Sequence, residues 1–149
     1  MPARLLHEVN GQRTYSVVLR TGEEVMRSLA DFAKREAISA AQISAIGAFS
    51  EAVIGYFDWT AKGYIKIPVP EQVEVASLLG DIALGENGEP ALHIHCVLSR
   101  RDGSARAGHL LQGLVRPTLE VILTESPAHL RKRHDPESGL ALIDLAARP

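Results

Sequence analysis

The sequence predicts an α+β fold in which a mostly antiparallel β-sheet carries one main amphipathic helix. Two observations support this fold class. One segment alone, Val25–Ala33, has apolar residues at helical spacing with charged residues on its other side. The rest of the chain consists of β-forming runs separated by short turns that contain glycine, proline or asparagine. At 149 residues the chain fits one domain, residues 1–149.

Composition narrows the possible functions. The formal net charge of −2 gives no general attraction to nucleic acids, so DNA binding would need a local basic patch. The single cysteine excludes an intramolecular disulfide and suits a reducing compartment. No apolar run reaches the roughly 18 residues of a membrane span, and the N-terminus lacks the apolar core of a signal peptide. We therefore expect a cytoplasmic protein without a membrane partner.

The first elements are a strand and the helix. Residues 13–19 are rich in β-formers and predict the first strand. Thr21 followed by Glu24 forms a capping box, which predicts a helix of about four turns with Thr21 as its N-cap.

Strand patterns fill the remainder of the chain. They cover residues 40–49, 51–58, 64–69, 72–84, 118–125 and 140–145. Pro68 and Pro70 interrupt strand pairing, so the 64–69 segment is expected at an edge or in a connection. Arg116-Pro117 predicts a short corner, residues 126–139 are irregular, and the last run is expected to close the sheet.

A histidine-containing hairpin spans residues 91–114. His93 and His95 alternate with apolar residues, so both side chains lie on one face of their strand. The Asp102-Gly103 pair predicts a tight turn, and folding back around it brings His109 level with His95. Opposed residues have Cβ atoms roughly 4.5–5.5 Å apart. The spacing therefore predicts an open metal site with three imidazole ligands, against the alternative of three unrelated surface histidines.

Three further residues are candidates around this site. Glu120 is the candidate catalytic base on metal-bound water, and Glu74 is a candidate ligand-binding residue or partner of an imidazole. Arg20, beside the helix N-terminus, is a candidate for binding an anionic ligand. The alternatives are charged residues on the wet face of a sheet and, for Arg20, a strand-end salt bridge.

Basic residues cluster at two places, the tract 128–134 and the hairpin tip with Arg100 and Arg101. Both positions favour solvated loops over a phosphate-binding surface, because aromatic residues are not interleaved with the charges. Glycine-rich phosphate loops and a Gly-x-Ser-x-Gly nucleophile motif are absent from the sequence.

Several stretches together resemble the PPC domain, the "plant and prokaryote conserved" domain, over a core of about residues 13–145. The stretches are LRTGEEVMRSLADFAKRE, ISAIGAFSEAVIGYFD, EVASLLGDIAL, HIHCVLSRRDGSARAGHLLQGLV and TLEVILTE. The resemblance implies a strongly bent, mostly antiparallel sheet with one packed helix, and assembly as a homotrimer. It also implies metal ligation by His93, His95 and His109, with zinc expected first and another divalent transition metal as the alternative.

The resemblance has limits in this sequence. Plant members carry Arg-Gly-Arg-Pro segments that enter the DNA minor groove, and this sequence has none. The segment through which plant members contact transcription factors corresponds to residues 72–76, which depart from its pattern. The leading hypothesis is a trimeric metal-binding protein with a regulatory or small-ligand-binding role. The alternatives are a DNA-associated regulator and a metal-dependent hydrolase or lyase.

Overall fold

The computed structural model describes residues 1–146 and confirms a mostly antiparallel sheet with one helix. The elements in chain order are β1 (Ala3–Val9), β2 (Gln12–Arg20), α1 (Val25–Arg35), β3 (Ala40–Asp58), β4 (Gly63–Val69), β5 (Val73–Leu84), β6 (Pro90–Ser99), β7 (Ala105–Glu125), β8 (Lys132–His134) and β9 (Ala141–Ile143).

Two long strands organise the sheet. The first seven strands are arranged in the order β1-β2-β7-β6-β5-β3-β4, and β7 also pairs with β3. The pairings β3–β5, β5–β6, β6–β7 and β7–β3 therefore form a closed circuit, all antiparallel. β3 and β7 pair with each other along most of their length, while the other side of β3 pairs first with β5 and then with β4, and the other side of β7 first with β6 and then with β2. β4 lies at an edge of the sheet, as its prolines predicted.

The helix covers one part of the core. Its apolar stripe buries Val25, Leu29, Phe32 and Ala33, and Phe32 packs edge-to-face on Tyr15 of β2 with ring centroids 5.3 Å apart. Apolar residues of the strands pack with these helix residues in one hydrophobic core. No helix within residues 1–146 is long and apolar enough to cross a membrane.

The helix start differs from the capping box that the sequence predicted. Glu24 is the N-cap, and its carboxylate accepts hydrogen bonds from the backbone amides of Met26 and Arg27. Thr21 instead donates its hydroxyl to the carbonyl of Pro117. Glu24 is held extended by its bridge to Leu114, so the N-cap lies three residues later than the predicted Thr21. The helix begins at Val25 and spans 11 residues, about three turns rather than four.

Strand boundaries differ from the sequence prediction in four places. The runs 40–49 and 51–58 are one strand, β3, because β7 and other neighbours continue the pairing through them. Arg116-Pro117 is not a corner but lies within β7. The last run does not close the main sheet, since β9 pairs only with β8 inside the segment expected to be irregular. The exposed N-terminal strand β1 was not predicted.

Candidate metal centre

Adjacent strands bring the three histidines together. Along β6 the residues Ile94, Cys96 and Leu98 are buried while His93 and His95 are exposed, so the two imidazoles share the outer face. The turn after β6 places His109 of β7 directly opposite His95, the register that the Asp102-Gly103 pair predicted. The three rings lie with centroids 5.1, 5.3 and 5.4 Å apart.

The ring nitrogens have a spacing that suits one small cation. One nitrogen from each histidine lies within 4.8 Å of the other two. The Nε2 atoms of His93 and His95 are 3.2 Å apart. Two ligands of a tetrahedral zinc ion, each about 2.0–2.1 Å from the metal, are separated by about 3.4 Å. The donor set therefore fits a tetrahedral ion with three imidazoles and one position left for another ligand.

His109 is the most enclosed of the three. Its ring stacks on Tyr64 of β4 with centroids 4.5 Å apart. Gly55 of β3 makes room for this stack, because a Cβ atom there would lie 2.8 Å from the Tyr64 ring. The His109 Nδ1 atom is buried and has no hydrogen-bond partner among residues 1–146. A buried polar atom without a partner is costly, so this nitrogen is suited to a ligand that would satisfy it.

The surroundings of two of the imidazoles favour their neutral forms. Burial, together with the neighbouring His93, His95 and Lys132, lowers the pKa of His109 to about 4. Burial and then His93 lower the pKa of His95 from its ordinary value. Neutral imidazole is the form that binds metal, so these shifts favour metal binding by His95 and His109.

A carboxylate behind the histidines is a residue that sequence reasoning missed. Asp81 of β5 pairs with His93 in the β5–β6 register, and its Oδ2 lies 3.5 Å from His93 Nδ1. Its Oδ1 lies 3.2 Å from Nζ of the buried Lys132. A carboxylate behind a ligating histidine orients the ring and fixes which nitrogen faces the metal. The register of the hairpin around residues 85–88 was the signal that could have identified Asp81.

The other predicted site residues lie apart from this cluster. Glu120 of β7 is exposed and opposite Val18 and Ile46, eleven residues along the strand from His109. Glu74 is opposite Ser99, at the far end of β5 from Asp81. Arg20 ends β2 opposite Thr118. None of the three belongs to the group of potential metal ligands found among residues 1–146.

The chain is similar to one protein family and to several solved structures. Residues 6–127 match the profile of a family described as the Plants and Prokaryotes Conserved (PCC) domain. A plant- and prokaryote-conserved (PPC) protein from Pyrococcus horikoshii shares 34% sequence identity, covering 91% of this chain and 94% of its own, with a TM-score of 0.84. A metal-containing protein from Archaeoglobus fulgidus shares 33% identity, covering 94% of this chain and 97% of its own, with a TM-score of 0.82.

A third solved structure is similar over the same extent. It is a protein from Bacteroides thetaiotaomicron described as a candidate DNA-binding protein, with 27% identity, coverage of 95% of this chain and 96% of its own, and a TM-score of 0.84. No curated protein matches this chain. The similarity therefore extends over nearly the full length of three solved structures, of which one is called metal-containing.

Proposed function

The chain belongs to the family of the Plants and Prokaryotes Conserved (PCC) domain, and from that premise we propose that it is a homotrimeric metal-binding protein whose ion is held by His93, His95 and His109. The observation that carries the proposal is the convergence of three imidazole nitrogens within 4.8 Å of one another. The metal-containing relative from Archaeoglobus fulgidus supports the same reading.

Zinc is the expected ion, with another divalent transition metal as the alternative. Imidazole nitrogens suit zinc, copper, iron and nickel, whereas magnesium and calcium prefer oxygen ligands. Three protein ligands with a fourth position open distinguish such a centre from a closed structural site. When bound, the ion supplies a Lewis-acidic position at which an anion or water binds.

Ligand binding is favoured over hydrolysis by the positions of the carboxylates. A hydrolase or lyase needs a general base within hydrogen-bond reach of the reacting water. Asp81 lies on the Nδ1 side of His93, with Oδ2 3.5 Å from that atom and Oδ1 3.2 Å from Nζ of Lys132, whereas the close approach to His95 is made by His93 Nε2. Glu120, the base that the sequence suggested, lies elsewhere on β7. We therefore propose a small-ligand-binding or regulatory role for the centre.

A trimer is supported by apolar side chains on the outer surface of the sheet. Ile46, Leu79, Val97 and Ile122 are each more than a third exposed in the single chain. Contiguous exposed apolar surface on a sheet is a feature of protein–protein interfaces. The proposed trimer would cover part of this surface.

A DNA-associated regulator is the second candidate, since one relative is described as a candidate DNA-binding protein. The basic residues give it little support. Arg100 pairs with Glu71 at 2.7 Å, Lys132 is buried against Asp81, and Arg133 pairs with Asp144 at 3.1 Å. A gel-shift titration tests it: electrostatic affinity is greatest at low salt, so absence of binding near about 50 mM salt would exclude this role.

Elemental analysis of the purified protein tests the metal proposal. We expect about one transition-metal ion per chain in the wild-type protein and almost none in a His93→Ala, His95→Ala double variant. A His7→Ala, His134→Ala double variant is the matched control, because both of these histidines are exposed and outside the cluster. Equal metal content in all three proteins would refute the assignment.

A further inference from the structure

A cavity of about 370 Å³ adjoins the proposed metal centre. His93 and His109 line it on the side of the proposed metal site, and Lys132 of β8 and residues of β9 line it as well. This volume lies at the lower end of the roughly 300–1,000 Å³ typical of ligand pockets. The other lining residues are mainly apolar, among them Tyr64, Leu92, Leu140 and Ile143.

The charge beside the cavity favours an anion. Lys132 lines the cavity, with a side chain only 6% exposed. Its positive charge is balanced by Asp81, which also faces His93. The histidines are neutral ligands, so a divalent ion would keep its full charge at this end. A negatively charged group would therefore be attracted to the metal end of the cavity.

The wall formed by β9 favours an apolar group. Ile143 is 39% exposed although it borders the cavity. It lies opposite Lys132 in the β8–β9 pairing, so these two side chains share a face, whereas the side chain of Leu142 points to the other face. Burying exposed apolar surface under a ligand is favourable. The cavity thus borders both the proposed metal site and an apolar wall.

We infer that the ligand is a small carboxylic acid with an apolar tail of a few carbons. The carboxylate lies at the open metal position near Lys132, and the tail lies against Ile143. The carboxylate half of this inference rests on the proposed metal function. The tail half rests only on the cavity and its apolar wall.

Titration with acetate, butyrate and hexanoate tests both halves on the zinc-loaded protein. Dissociation constants are measured from NMR chemical shifts at constant pH and ionic strength. A buried methylene contributes about fourfold in affinity, so we expect up to about a fifteenfold gain at each step of two methylenes. In an Ile143→Ser variant the gain should shrink, while the zinc content stays at the wild-type level.

The matched control is Leu145→Ser, since Leu145 is 87% exposed and does not line the cavity. It should keep the wild-type dependence on chain length. Equal affinity for the three acids in zinc-loaded wild-type protein would overturn the inference and leave the metal proposal intact. If the protein fails to bind zinc but still prefers hexanoate over acetate, the metal proposal and the carboxylate half of the inference are overturned. The tail half then still stands. Dissociation of the assembly by Ile143→Ser but not by Leu145→Ser would make this wall a subunit interface and overturn the inference.

Discussion

The Nε2 atoms of His93 and His95 face each other at 3.2 Å on the outer surface of β6. The charge of His93 adds to burial in lowering the pKa of His95. The separation of the two nitrogens is close to that of two ligands on a tetrahedral zinc ion, about 3.4 Å. His109 adds the third nitrogen from the next strand. The fold therefore holds the three imidazoles on paired strands rather than on loops.

Replacing Asp81 tests whether its carboxylate orients the His93 imidazole. Loss of a carboxylate that supports a ligating histidine typically weakens metal affinity 10–100-fold, and we expect this range for Asp81→Asn. Competition with a chromophoric chelator measures the affinity. Glu74→Gln is the control on the same strand, because Glu74 is opposite Ser99 rather than a histidine. An unchanged affinity in a folded Asp81→Asn protein would show that this carboxylate does not orient His93.

A glycine keeps β5 close to β6 beside the site. A Cβ atom at Gly80 would lie 2.4 Å from the carbonyl oxygen of His93 and 2.8 Å from the Ile94 side chain. We expect Gly80→Ala to lower the free energy of unfolding by about 1–3 kcal/mol, as overpacking does, and to weaken metal binding. Urea unfolding and metal titration check both effects. Gly63→Ala should change stability by less than about 1 kcal/mol, because its nearest neighbour would be 3.9 Å away. Equal behaviour of the two variants would contradict this close-packing argument.

The stability of the metal-free protein should fall as the pH is lowered through the titration of His109. Its pKa is about 4 in the fold, whereas the ordinary value is 6.5. Between these values the unfolded chain binds a proton that the folded chain does not, so acid favours unfolding over this window. The destabilising contribution of His109 to folding is absent above about pH 6.5 and complete below about pH 4.

Urea unfolding of the chelator-treated protein at several pH values measures this dependence. His109→Gln should lose less stability than the wild-type protein over the same window. His7→Gln, at an exposed position on β1, should follow the wild-type curve. A His109→Gln curve parallel to the wild-type one would contradict the assigned pKa of His109.

Assembly can be measured directly. Sedimentation should give about three times the chain mass of 16.1 kDa. Leu79→Glu places a charge on the exposed apolar surface of β5 and should shift the mass downward if that surface lies in the interface. Leu145→Glu is the control outside the main sheet. A wild-type monomer would contradict the proposed trimer.

Local patterns were sufficient to predict the histidine cluster. Alternation along β6 put His93 and His95 on one face, and a tight turn fixed the position of His109. Both are properties of a few consecutive residues. The same hairpin logic applied to residues 85–88 would have paired Asp81 with His93.

The features of the fold that the sequence did not predict depend on contacts between distant segments. β3 continues through Ser50 because β7 pairs beside it, and the helix begins after Glu24 because that residue bridges to Leu114. The cavity wall is formed by β9, a three-residue strand whose pairing with β8 has no strong local signal. Tertiary pairing of this kind overrides local propensity, so sequence patterns alone did not locate it.

X-ray absorption at the metal edge of the purified protein tests the central claim most directly. The account predicts a first shell at about 2.0–2.1 Å with the scattering signature of three imidazole rings, which falls to one ring or none in the His93→Ala, His95→Ala variant. A shell of oxygen ligands without imidazole scattering in the wild-type protein would contradict it.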